Sequence, residues 1–130
     1  MIVDSSALVA ILFQEPEGQL IDVAIVECAD CRMSAANLLE ISMVVLARKG
    51  ADGLRDLDLL IVRLGIRVVA FTESHARLAR EAFKRFGKGR HPAGLNFGDC
   101  IAYALARENG EELLFKGNDF AQTDIPAARY

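Results

Sequence analysis

Four short apolar runs, each separated from the next by helix-patterned sequence, constrain this chain more than any other feature. Met1-Ile2-Val3-Asp4, Arg32-Met33-Ser34, Arg67-Val68-Val69-Ala70-Phe71 and Glu112-Leu113-Leu114-Phe115-Lys116 read as strands. Ser5 to Phe13, stopped before Pro16, and Glu17 to about Ala29 read as helices. So do Ala35 to Lys49, with Gly50 as its stop, and the leucine-rich Asp52 to Leu64, ended by Gly65. A further helix follows a cap at Thr72 or Ser74 and ends at Gly87; the last opens at Asn96 or Gly98 and closes at Asn109-Gly110. Crossovers of this length are what parallel strands need, so the chain predicts a mainly parallel sheet of four or five strands with helices on both faces. A fifth, edge strand is expected around Ile125. Ligands of such sheets bind beyond the carboxyl ends of the strands.

The 130 residues suit one domain, 1–130, with no repeat, low-complexity segment or linker. No apolar run is long enough for a membrane span and no basic leader precedes the first strand, so the expected location is the cytoplasm. A net charge of -3 argues against a general polyanion-coating protein. Basic residues are nevertheless concentrated at Lys84, Arg85, Lys88, Arg90 and His91. Lys84 and Arg85 read as the solvated end of a helix. Lys88, Arg90 and His91 fall in a Gly- and Pro-containing loop and are candidate contacts for a phosphate-chain substrate. His75 reads as a helix-surface residue. Cys28 and Cys31 form a single C-x-x-C with no second pair, which reads as two buried or half-buried thiols. Cys100 reads as a packing residue.

Three acids stand alone in apolar surroundings. Asp4 closes the first strand, and the next charge is Glu15. Glu40 is the only charge between Arg32 and Arg48, and Asp99 the only one between His91 and Arg107. A carboxylate in such surroundings is costly unless it is hydrogen-bonded, paired or bound to a cation. Asp4 could cap a helix, Asp99 could be a first-turn acid, and Asp119 could be a turn residue. Glu40 resists so plain an account, because Ala36, Asn37, Met43 and Val44 at i±3 and i±4 offer no ion pair. One shared divalent cation, magnesium or manganese, is the simplest common partner. Ser5, Ser6, Asn96 and Asn118 accompany the acids and could hold their oxygens in place.

Ile2-Val3-Asp4-Ser5-Ser6-Ala7-Leu8 resembles the opening of PIN-domain ribonucleases. Ala36-Asn37-Leu38-Leu39-Glu40, Leu95-Asn96-Phe97-Gly98-Asp99-Cys100 and Leu114-Phe115-Lys116-Gly117-Asn118-Asp119-Phe120 match that family's second, third and fourth acids, in order over nearly the whole chain. The resemblance is nearest to the VapC toxins of bacterial toxin–antitoxin pairs. It implies a three-layer α/β/α sandwich and a magnesium-dependent endoribonuclease, with manganese as a possible substitute. Asp4, Glu40 and Asp99 would be metal ligands, Asp119 a catalytic assistant, and Ser6 the group that orients Asp4. Asp124 or Asn118 could complete the site in place of Asp119. The implied partners are RNA, a small antitoxin and a second copy of the chain. Two rivals are a non-catalytic RNA-binding module of the same fold and a metal-dependent phosphatase. The phosphatase class that places an aspartate after its first strand has D-x-D, whereas this chain has Asp4-Ser5-Ser6.

Overall fold

The computed structural model describes residues Met1–Tyr130. Strands β1 (Ile2–Val3), β2 (Arg32–Ser34), β3 (Arg67–Val69) and β4 (Leu113–Leu114) form one sheet in the order β3-β2-β1-β4, all parallel. Helices α1 (Ser5–Leu12), α2 (Gly18–Glu27), α3 (Ala35–Arg63), α4 (Glu73–Phe86) and α5 (Phe97–Asn109) connect them. The period-two alternation of the strands divides the core. Val3, Met33 and Leu114 pack with α1, α2 and α3, whereas Ile2 and Leu113 pack with α4 and α5. The register Ile2↔Leu113 and Val3↔Leu114 keeps like faces together. The result is the expected three-layer α/β/α sandwich. Because β4 joins β1 on the side away from β2, the chain reverses direction across the sheet between β1 and β4. A crevice at the carboxyl ends of those strands is where such a sheet binds ligands.

Gly50 breaks the helical path as expected: with φ 67° and ψ -159° it is non-helical and divides the α3 span into two helices that meet at a kink. Other details differ from the sequence reading. β3 stops at Val69 and β4 covers only Leu113–Leu114. The tail contributes a single parallel bridge, Leu113↔Ala127, in place of an edge strand. His75 is buried, not on the surface. Its Nδ1 accepts from the Thr72 backbone in a capping box, and its Nε2 meets Glu108 of α5. The sequence shows the cap but not the neighbour: only the packing of α4 on α5 brings Glu108 to His75. Cys31 and Cys100 are buried and Cys28 is half-buried, all as free thiols.

Candidate active site

The site begins with the turn from β1 into α1. Asp4 is the N-cap of α1: its Oδ2 accepts from the Ser6 backbone N–H at 3.0 Å. Its Oδ1 is buried without a hydrogen-bond partner, and the residue is 2% exposed. One oxygen of the carboxyl therefore caps α1, and the other faces no donor of the chain. Burial pushes the Asp4 carboxyl up to about 7 against the opposing Ser6 hydrogen bonds, and the charges of Asp99 and Glu40 add to the rise. The Ser6 hydroxyl also accepts from the Lys116 backbone at 3.0 Å, which ties the start of α1 to the end of β4.

Glu40 lies in the second turn of α3 and is half-buried, less enclosed than its apolar sequence context suggests. Its Oε1 accepts from the Ser5 hydroxyl at 2.5 Å and from Asn37 Nδ2 at 3.4 Å. Asn37 is wholly buried, and its Nδ2 also donates to the Gly98 carbonyl at 3.0 Å. Asn37 thus joins α3 to the start of α5. Gly98 completes this contact by lacking a side chain: a Cβ there would lie 1.6 Å from Glu40 Oε2.

Asp99 closes a capping box at the start of α5. Its Oδ2 accepts from the Asn96 N–H and its own N–H donates to Asn96 Oδ1, both at 2.9 Å. Burial raises the Asp99 carboxyl to about 6, opposed by the Asn96 bond and reinforced by Asp119 and Glu40. Asp119 is exposed at the rim and makes no capping bond to the short helix that follows it.

Asp4, Glu40, Asp99 and Asp119 line one cleft of about 370 Å³, with Ser6 and Asn96 in its wall. Asn118 is exposed outside this lining. Asp124, considered above as a substitute acid, is engaged elsewhere: it accepts from the Tyr103 hydroxyl at 2.7 Å and pairs with Arg85 and Arg107. Lys88, Arg90 and His91 occupy the loop between α4 and α5 and form no part of the cleft wall. Arg90 lies over Phe83, and His91 sits edge-on to Phe86. The sequence reading passed over Asn37, Gly98, Glu15, Lys116 and Arg48. For two of these a signal existed in helical spacing: Asn37 is three residues before Glu40 and Arg48 eight after it.

As the side chains stand, no three acidic groups are gathered closely enough to enclose a metal ion. The donor set nevertheless fits a hard divalent cation in kind. It is all oxygen, it is crowded with like charge, and Asp4 Oδ1 is a buried acceptor without a donor.

A family model described as "PIN domain" matches residues 1–126. The chain belongs to the PIN-domain family. This PIN domain is 47% identical over 127 residues to a ribonuclease VapC of Mycolicibacterium smegmatis, covering 98% of each chain. Among solved structures it resembles VapC20 of Mycobacterium tuberculosis, described as a sarcin-ricin loop cleaving toxin. The TM-score is 0.80 and the identity 17%, over 99% of this chain and 98% of that one. It also resembles a chain of a toxin-antitoxin complex from Klebsiella pneumoniae, with a TM-score of 0.72 and 16% identity over 99% and 97%.

Proposed function

We propose that this PIN domain is a magnesium-dependent endoribonuclease that cleaves RNA phosphodiester bonds and acts as the toxin of a toxin–antitoxin pair. The observation that carries the reading is the Asp4 carboxyl, buried with one oxygen unpartnered and set beside Glu40 and Asp99. A non-catalytic module would gain nothing from that desolvated carboxyl, and the full-length similarity to a ribonuclease VapC points the same way.

Asp4, Glu40 and Asp99 would hold the ion, with Asp119 assisting from the rim. When bound, the ion would supply charge neutralisation and Lewis-acid polarisation at a phosphodiester. The chain's own residues prepare for this. The Ser6 amide and the Asn96 amide each fix one oxygen of an aspartate and leave the other free. Ser5 and Asn37 fix Oε1 of Glu40. Lys88, Arg90 and His91 remain candidates for contact with more distant parts of the RNA.

Exposed apolar rows support protein partners, an antitoxin and a second copy of the chain. Leu39, Met43 and Leu46 form one on α3, and Leu20, Val23 and Val26 another on α2. The proposed site of action is the cytoplasm; no helix is long and apolar enough to cross a membrane.

The test is cleavage of total cellular RNA by purified protein, with fragment ends sequenced. Cleavage is expected with magnesium or manganese, poorly with calcium, and not with excess EDTA or with Asp99→Asn. Equal cleavage by wild type and Asp99→Asn would overturn the reading. Expression without a neighbouring antitoxin is expected to arrest growth, and unaffected growth would remove the toxin assignment.

A further inference from the structure

The cleft also contains two cations, and the structure treats them differently. Lys116 is already neutralised: its ammonium contacts Glu15 at 2.5 Å and Glu17 at 3.5 Å. Arg48 lines the same cleft, is exposed, and makes no hydrogen bond or ion pair with any carboxylate. Its guanidinium instead lies over the Phe13 ring, 5.0 Å from the centroid. Stacking on an aromatic face leaves the edge N–H donors of an arginine free, and those donors match phosphate oxygens. Lys49, on the same ring at 4.8 Å, is committed to the Leu12 carbonyl at the end of α1.

Position along α3 gives this arginine a direction. Glu40, Val44 and Arg48 follow at intervals of four residues and all line the cleft. Eight residues at 1.5 Å each put Arg48 roughly 12 Å along the helix from Glu40. That separation is a few nucleotides along one strand from a phosphate held over the acids.

Resting on the ribonuclease reading above, we infer that Arg48, held on Phe13, is a backbone-phosphate contact for the RNA. The strand would then leave the acidic site along α3 towards the end of α1. Repulsion by Asp4, Glu40, Asp99 and Asp119, which have no cation paired to them in the cleft wall, makes such a cation valuable: it offers a polyanion an attractive end in an otherwise repulsive channel.

The test measures binding of a fluorescein-labelled random 20-nucleotide RNA in magnesium by anisotropy, in the Asp99→Asn background so that the RNA survives. Apparent affinity is followed between 50 and about 200 mM salt. Arg48→Gln is expected to weaken binding about 3- to 10-fold and to flatten the log–log salt dependence by about 0.7, the value of one single-strand phosphate contact. Arg48→Lys is expected to retain the slope. Lys88→Gln with Arg90→Gln serves as a comparison outside the cleft wall, and thermal unfolding verifies that each variant folds. If Arg48→Gln binds with unchanged affinity and slope while the parent protein binds RNA, the inference fails and the ribonuclease reading stands. If the parent binds no RNA and the wild type cuts none, both fall.

Discussion

At the amino ends of the strands, carboxylates are neutralised; at the carboxyl ends, they are crowded together. Just before β2, Asp30 meets Arg67 at 2.9 Å and Arg32 at 3.3 Å, and just before β4 Glu111 pairs with Arg32. The Arg67 hydrogen bonds hold the Asp30 carboxyl below its usual range. In the cleft, burial and neighbouring acids drive Asp4 and Asp99 the other way. The same residue type thus has opposite electrostatics about one strand length apart. One end satisfies its charges within the chain, and the other leaves like charges crowded together, where the proposed cation would act.

The sharpest way to break this contrast is Asp4→Asn. Asparagine can still cap α1, so the fold is expected to persist. Cleavage is expected to fall about 100- to 1000-fold or more under single-turnover conditions. Urea unfolding of the metal-free protein is expected to show unchanged or increased stability. A variant that unfolds would instead make the carboxylate a structural requirement, like its counterparts at the other end.

Gly98→Ala probes the geometry without touching a charge. The new Cβ would collide with Glu40 Oε2, so the carboxylate has to turn away. Activity is expected to drop about 10- to 100-fold, as when a group that orients a ligand is removed. Because Glu40 is half-buried and can swing outward, stability is expected to change little. Full activity with unaltered magnesium dependence would show that Glu40 need not stand where it does.

The smallest effect is the pH response of the metal-free protein. Asp4 and Asp99 have folded values near 7 and 6, above the ordinary 3.8. Between about pH 4 and 7 the native chain keeps protons that the unfolded chain has released, so this pair lowers stability as pH rises through that window. A fall in stability across this window, flattened in Asp4→Asn, is expected from urea titrations at several pH values. Asp30 works in the opposite sense: its depressed value contributes stability above the ordinary carboxylate range that fades as acid is added. A flat profile for the wild type, with no difference in Asp4→Asn, would mean that the cleft acids are already balanced.

The strand–helix alternation, the parallel sheet and the three isolated acids were all legible in the chain. Period, cap residues and lone charges are local properties, and local properties can be read in order along a sequence. Asp4 was recognisable as a cap and Asp99 as a first-turn acid, each also as a site candidate; the local roles hold, and both side chains line the cleft. The partners of the acids were not legible. Asn37 meets Gly98 across 61 residues, and Ser5 meets Glu40 across 35. Nothing in either neighbourhood announces those contacts, because they exist only once α1, α3 and α5 converge on the carboxyl ends of β1 and β4. Tertiary packing likewise assigned Asp124 to Tyr103 and the arginines, His75 to Glu108, and Arg48 to the cleft wall. Sequence determined which residues carried unmatched charge. The three-dimensional fold decided which of those charges found a partner, since pairing depends on distance in space and the chain specifies only distance along itself.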